Sequence, residues 1–124
     1  MAGSIRDFKN LDVWQVAREM YKVARTLPDF EKFALGTQIR RAASSVTANI
    51  AEGFGRFSYQ ENAQFCRQAR GSLFELRDHL TTCTDQDYID VKESQRLDTM
   101  AQRVAQLLNG YLRSTLALKA VAAS

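Results

Sequence analysis

The chain has 124 residues, which is a normal size for one domain and too short for two, so we expect a single domain over residues 1–124. Hydrophobic residues make up 45% and charged residues 25%, a balance that is typical of globular proteins and excludes a disordered chain. The formal charge of +3 includes no basic tail, so any cationic surface must be made by folding or by assembly.

One proline and six glycines leave long stretches without a helix breaker, which favours helices over a loop-rich β fold. The first predicted helix spans residues 11–27, where apolar residues recur at three- and four-residue spacing until Pro28 stops the helix. The second predicted helix spans residues 33–52. It ends before Gly53 and Gly55, because glycine just past the last turn commonly terminates a helix.

Two further predicted helices span residues 59–84 and 91–118. Ser58 and Glu61 fit a capping box at the start of the third helix, and Asp90 can cap the fourth. The sequence contains no strand-like alternation and no internal repeat. Because the connections are short, sequential helices should be antiparallel neighbours, so we predict an all-α, antiparallel up-down four-helix bundle.

Apolar residues at helical spacing define the expected core of this bundle. The predicted core residues are Val13, Val16, Ala17, Met20, Val23, Ala24, Leu27, Leu35, Ile39, Ala43, Val46, Ile50, Phe65, Ala69, Ser72, Leu73, Leu76, Leu80, Cys83, Leu97, Met100, Ala101, Val104, Leu108, Tyr111, Leu112 and Thr115. We expect each helix to bury this one face and to expose the opposite one.

Cysteine usage and the N-terminal sequence predict a cytoplasmic protein. Cys66 and Cys83 lie on one predicted helix, about 25 Å apart, so they cannot bridge each other within that helix. Two reduced thiols are typical of cytosolic proteins. Residues 1–10 contain no apolar run, so we expect no signal peptide. No apolar stretch approaches the roughly 20 residues of a membrane span, so we expect no membrane association.

Two surface features exceed the needs of a monomeric bundle. Phe74 projects about 150° away from the core line of the third predicted helix, so it is either an isolated exposed residue or a partner contact. On the second predicted helix, a stripe of mostly short side chains lies outside the core. Its members are Arg41, Ser45, Ala48, Asn49 and Glu52. Short side chains let another helix approach closely, so both features suggest a homo-oligomer; a solvated polar face is the alternative.

A search for catalytic chemistry yields no candidate residues. His79 is the only histidine, and Asp78 points about 100° away from it on a helix, so the two form no ready dyad. The carboxylates Glu52, Glu61 and Glu75 lack the Glu-x-x-His pairs that di-iron bundles use. We therefore expect no enzyme activity, no metal site and no cofactor.

The arginines give the strongest functional signal. Each planar guanidinium group can form two hydrogen bonds to one carboxylate or phosphate. The arginines therefore suit either ion pairs within and between subunits or nucleic-acid contacts. The nearby aromatic rings either stack on bases or close the loop over the core. The candidate nucleic-acid-binding residues are Arg40, Arg41, Arg56, Arg67, Arg70, Arg77, Phe54 and Phe57. The candidates for oligomer or structural polar contacts are Asn49, Glu52, Arg70, Phe74 and Glu75.

Four blocks of the sequence resemble one known family. The blocks are Leu11-Asp12-Val13-Trp14, Gln38-Ile39-Arg40-Arg41-Ala42, Asn49-Ile50-Ala51-Glu52-Gly53-Phe54-Gly55-Arg56 and Ala69-Arg70-Gly71-Ser72-Leu73-Phe74-Glu75-Leu76. In this order, from about Phe8 to Leu118, the chain resembles the 23S ribosomal RNA intervening-sequence proteins. It departs from the family pattern at Thr47, where proline is frequent, and at Arg77, where an acidic residue is common.

The resemblance implies a bacterial cytoplasmic protein that assembles as a ring-like homopentamer of four-helix bundles. The family is similar to the accessory protein of diversity-generating retroelements, a basic pentameric bundle that works with a reverse transcriptase and nucleic acid. The resemblance therefore suggests RNA or DNA as a partner, through basic surface created by assembly. The alternative is a protein-binding scaffold or accessory subunit that uses the Phe74 face and has no direct nucleic-acid contact.

Overall fold

The computed structural model describes residues 12–54 and 58–123, and every regular element within these ranges is a helix. The helices are α1 (Asp12–Thr26), α2 (Asp29–Lys32), α3 (Leu35–Phe54), α4 (Tyr59–Asp85) and α5 (Val91–Ala123). The all-α class predicted from the sequence is confirmed. None of these helices is both long and apolar enough to cross a membrane.

The four long helices surround one apolar core. Helix α3 packs against α1 and α4, and α5 packs against α4 and α1. As residue numbers increase along α3, the numbers of their partners on α4 decrease. The pairs Arg41–Glu75 and Ser45–Ser72 show this, so the two helices are antiparallel. The pairs between α4 and α5 follow the same rule, since Arg70 bonds Asn109 while Arg77 bonds Asp98.

The core follows the predicted apolar lines closely. All predicted positions on α1 and α3 are buried, and on α4 and α5 the exceptions are half-buried side chains. Ile39 and Leu73 have no exposed surface, and burying an aliphatic side chain of this size contributes about 1.5–3 kcal/mol. The structure adds core residues that the sequence analysis left out: Ala42, Ala63, Cys66, His79 and Ala105.

The connections explain where the helices begin and end. Ser58 accepts a hydrogen bond from the Glu61 amide at 3.4 Å at the start of α4, and Asp90 accepts one from the Glu93 amide at 2.7 Å at the start of α5. Asp87 adopts a φ of 60° between them, a left-handed conformation that aspartate tolerates better than most residues. Helix α5 extends beyond its predicted end at residue 118, because no glycine or proline interrupts its C-terminal sequence.

A short helix lies where the sequence analysis placed only a connection. Helix α2 begins directly after Pro28, whose fixed φ of −56° suits the entry to a helix, and the Glu31 amide donates to the Pro28 carbonyl at 2.8 Å. The side chain of Tyr88, from the connection between α4 and α5, donates to Glu31 at 2.7 Å. Helix α2 is therefore attached to the end of the molecule where α4 stops and α5 starts.

Both cysteines are free thiols on the buried face of α4. Cys66 Sγ donates to the Leu108 carbonyl at 3.4 Å. Burial raises the pKa of Cys66, an effect that the charges of Arg70 and Arg67 reduce in part. Burial, together with the negative charge of Glu31, raises the pKa of Cys83 to about 11.

Candidate nucleic-acid interface

A line of polar side chains fills the contact between α3 and α4. The hydroxyl oxygens of Ser45 and Ser72 lie 2.7 Å apart. The Asn49 amide donates to the Ser45 carbonyl at 2.8 Å and to the Ser45 hydroxyl at 3.0 Å. Of the stripe that the sequence analysis assigned to a contact with another subunit, Ser45 thus contacts α4 of the same chain, whereas the Asn49 hydrogen bonds stay within α3. The remaining members of the stripe, Arg41, Ala48 and Glu52, are exposed.

Glu75 joins two basic side chains at the next step along this contact. Arg41 donates to Glu75 Oε2 at 2.9 Å, and His79 Nε2 lies 3.1 Å from the same oxygen. His79 is buried, whereas the Arg41 side chain stays exposed. The polar partner of the histidine is therefore four residues away on the same helix face, as helical geometry favours. This pair was missed in the sequence, although the spacing of four residues was a readable signal.

Two of the candidate arginines hold helices together. Arg40 donates to the Lys32 carbonyl and to the Thr37 hydroxyl, each at 3.2 Å, which ties α3 to the end of α2. Arg70 donates to Asn109 Oδ1 at 2.8 Å, which ties α4 to α5. Both side chains are half-buried. Their donors are engaged in contacts within the chain.

Arg77 forms the most complete ion pair between two helices. Its Nε and Nη2 donate to the two Asp98 carboxylate oxygens at 2.8 and 3.4 Å. Gln102 donates to Asp98 at 2.7 Å as well. The guanidinium carbon of Arg77 lies 5.7 Å from the centre of the Phe74 ring, within the range of a cation–π contact. The hydrogen bond and charge of Arg77 and the hydrogen bond of Gln102 lower the pKa of Asp98.

We expect the Arg77–Asp98 pair to stabilise the fold by about 0.5–1 kcal/mol, because both side chains are partly solvated. A lowered carboxyl pKa stabilises the folded state while the group is ionised. The contribution is complete above the ordinary aspartate pKa of about 3.9 and is lost as the pH falls through the lowered value. Urea unfolding of Asp98→Asn should therefore show a loss near pH 7 that shrinks near pH 2.5. Asp78→Asn is the control, and an equal loss by Asp98→Asn at both pH values would contradict the prediction.

The other candidates divide into exposed residues and residues outside the described ranges. Arg41 and Arg67 are exposed, and so is Glu52. Phe74 is 49% exposed. The predicted residues Arg56 and Phe57, and the side chain of Phe54, lie outside the described part of the chain. The candidate arginines therefore do not form one cluster, since Arg40 is directed to α2, Arg41 to α4, and Arg70 and Arg77 to α5.

A second basic surface was missed in the sequence. An open groove between α1 and α5 is lined by the basic side chains Arg18, Lys22, Arg96 and Arg103, together with Asp12 and Glu19. Arg96 donates to Glu93 at 2.6 Å and lies 3.5 Å from Glu19, while Arg103 is exposed. The four-residue spacing on α1 and the seven-residue spacing on α5 place these cations on one face of each helix.

Formal charge is distributed unevenly along the molecule. We define the acidic end as residues 29–34 and 85–93, which contain α2, its following turn and the connection between α4 and α5. Its charged residues are Asp29, Glu31, Lys32, Asp85, Asp87, Asp90, Lys92 and Glu93, so six carboxylates and two lysines give −4. The other 15 Lys and Arg residues and 8 Asp and Glu residues give +7. Within the ranges that the structure describes, no three metal-binding side chains converge.

The sequence matches the model of a known protein family. The family model described as 23S rRNA-intervening sequence protein matches residues 9–110, which is most of the chain. No curated protein matches the sequence. The matched region contains α1 to α4 and more than half of α5, and so includes both the polar contact between α3 and α4 and the groove between α1 and α5.

Proposed function

The chain belongs to the 23S rRNA-intervening sequence protein family, and from this premise we propose that it is a noncatalytic protein that binds RNA or DNA. The proposal includes an antiparallel four-helix bundle that assembles as a homopentamer in the bacterial cytoplasm. Basic surface from several copies then forms the nucleic-acid interface. The two free thiols agree with a reducing compartment.

The observation that carries the proposal is the uneven charge. Outside the acidic end the chain has a formal charge of +7, although its total is only +3. A phosphate backbone is attracted to the local excess of positive charge rather than to the net value. Five copies would bring +15 into one assembly.

The exposed cations are the best candidates for phosphate contacts. Arg41 and Arg67 are exposed, and Lys22 and Arg103 line the groove between α1 and α5. Arg40, Arg70 and Arg77 are half-buried and donate to groups within the chain, so we assign them to holding the helices together. Arg41 also donates to a group within the chain, Glu75, but its side chain is 68% exposed, so we keep it among the candidates. Contacts of exposed cations with phosphates carry no base specificity by themselves, so we expect binding that is sensitive to salt and tolerant of sequence.

Binding to a structured RNA and to duplex DNA, measured by fluorescence anisotropy across a salt series, tests this function. We expect affinity to fall steeply with salt. Arg41→Gln with Arg67→Gln should weaken binding by about tenfold and reduce the slope of log affinity against log salt by about two. The pair Lys22→Gln and Arg103→Gln tests the groove in the same way. Light scattering on each sample gives the number of subunits.

The matched control removes two cations from the acidic end. Lys32→Gln with Lys92→Gln changes the formal charge by the same amount, and we expect it to leave the affinity and the salt slope unchanged. Equal weakening by all three pairs would show a response to net charge alone and would contradict a defined interface. An intact oligomer that binds neither nucleic acid at low salt would exclude the proposed function.

The alternative function is a protein-binding scaffold or accessory subunit without nucleic-acid contact. Phe74 favours it, because a phenylalanine that is 49% exposed beside the Arg77 guanidinium is suited to a protein contact. A groove beside it between α4 and α5 is lined by Thr81, Gln95 and Gln102. The scaffold would show no salt-dependent affinity for RNA or DNA in the experiment above.

A further inference from the structure

The acidic end exposes two phenylalanines that are three residues apart in the sequence. Phe30 is 77% exposed and Phe33 is 90% exposed, more than any other large hydrophobic side chain that the structure describes. They are three residues apart in and just after α2, a spacing that places two side chains on neighbouring positions of a helical turn. Single exposed apolar residues are common, but two highly exposed phenylalanines within one short segment indicate a contact surface.

This pair sits on a fixed support. The Phe30 ring meets the Tyr88 ring edge-on, with 6.5 Å between their centres. The Tyr88 hydroxyl donates to Glu31 at 2.7 Å, and Arg40 donates to the Lys32 carbonyl at 3.2 Å. Helix α2 is thus held from the connection between α4 and α5 on one side and from α3 on the other. A surface that is already ordered loses little entropy when a partner binds.

The surrounding charge specifies the partner. The acidic end has six carboxylates and two lysines, for a formal charge of −4, and the Asp29 side chain is 98% exposed. Arg40 donates to the Lys32 carbonyl and Arg96 donates to Glu93, so with these two bordering arginines the formal charge there is −2. Nucleic acid and acidic surfaces are repelled from it. A partner that covers the two rings must supply apolar side chains, and one that faces the carboxylates must supply lysines or arginines.

We propose that the acidic end, with Phe30 and Phe33 at its centre, is a docking site for a basic amphipathic segment of another protein. The apolar face of that segment covers the two rings, and its cations face the carboxylates of residues 29–31 and 85–93. This function is separate from nucleic-acid binding, because it uses a surface whose excess of carboxylates disfavours phosphate. A chain with both surfaces brings a basic protein and a nucleic acid onto one assembly.

Binding of a synthetic basic amphipathic helix, labelled with a fluorophore, tests the proposal on the full chain. Phe30→Ser with Phe33→Ser should raise the dissociation constant by about tenfold or more, as expected for removal of central aromatic contacts. Asp29→Asn with Asp85→Asn should raise it and should weaken its salt dependence. Both changes lie on exposed side chains, and the melting temperature of each variant checks that folding is intact.

The controls separate this surface from others. Phe74→Ser removes an exposed phenylalanine elsewhere, and Asp78→Asn with Glu52→Gln removes two carboxylates outside the acidic end; neither should change peptide affinity. A peptide with the same composition but no apolar face should bind weakly. Equal binding of both peptides, or peptide affinity that is indifferent to Phe30→Ser with Phe33→Ser, would overturn the proposal.

Two further measurements exclude other occupants. Light scattering of Phe30→Ser with Phe33→Ser should give the wild-type mass; a smaller mass would assign the rings to a contact between copies and overturn the proposal. RNA affinity of the same variant should equal that of the wild type. A loss of RNA affinity would place the rings in the nucleic-acid interface instead, which also overturns it. If the wild-type protein does not bind RNA, the proposed nucleic-acid function fails. The peptide experiment still tests the docking site, because it does not require RNA binding.

Discussion

Leu73→Ala should lower the free energy of unfolding by about 3 kcal/mol. Leu73 has no exposed surface and lies on the face of α4 that packs against α3 and α5. The substitution removes three carbons from a close-packed interior, so the loss combines the transfer free energy with the cost of the cavity that remains. Urea unfolding followed by circular dichroism at 222 nm measures the change, which should appear as a lower midpoint with an unchanged slope.

The adjacent residue supplies the control for this prediction. Phe74→Ala removes more atoms than Leu73→Ala, yet Phe74 is half exposed and lies outside the core. We expect it to cost less than about 1 kcal/mol. Equal destabilisation by the two substitutions would mean that Leu73 does not face the core. Comparing the two losses of unfolding free energy therefore tests the rotation of α4 about its axis.

Gly53→Val should destabilise the fold by about 2 kcal/mol, the second largest effect that we expect. A Cβ atom built on Gly53 lies 3.1 Å from the Cβ atom of Phe65, so α3 and α4 must separate slightly there to admit a side chain. The neighbouring atom is attached directly to the α4 backbone and cannot move without the helix. Thermal unfolding by calorimetry measures the change.

Gly71→Val is the matched control for the close approach. A Cβ atom on Gly71 meets no other atom within 4 Å, and the residue is exposed in the middle of α4. Valine has a slightly higher helix propensity than glycine, so the change should be neutral or stabilising by a few tenths of a kcal/mol. A destabilisation comparable to that of Gly53→Val would mean that the effect arises from valine in a helix and not from the helix contact.

Hydrophobic spacing was sufficient to find the long helices and their buried faces. Leu73, Leu76 and Leu80 recur at helical spacing, and the structure buries all three. The residues that were missed are small or polar. Ala42 and Ala105 are buried where helices come close, and His79 is buried because Glu75 provides a polar partner. Neither cause can be read from the period of the apolar residues alone.

The roles of the arginines depend on which helices meet. Arg41 pairs with Glu75, 34 residues away, and Arg77 pairs with Asp98, 21 residues away. The sequence identified arginine as suited to both ion pairs and phosphates, but the choice between them follows from tertiary contacts. The pair Arg77–Asp98 also gives Arg77 a structural role, since α5 offers a carboxylate directly opposite.

The exposed rings of α2 could not be predicted from periodicity, because a four-residue helix is too short to show any. The sequence predicts a break between two helices at residues 28–32, with Pro28 ending one helix and Phe33 beginning the next. Helix α2 is held by Tyr88, 57 residues from its partner Glu31, and by Arg40, eight residues from its partner Lys32. The exposure of Phe30 and Phe33 is a consequence of those two contacts.

The reaction rates of the two buried thiols of α4 report how often this helix opens locally. At pH 7 only about one in ten thousand Cys83 side chains is ionised, given a pKa of about 11, and the side chain has no exposed surface. An alkylating reagent therefore modifies it chiefly when this part of the helix opens. Cys66 lies near the other end of α4. The ratio of the two modification rates shows which end of the buried face of α4 opens more often.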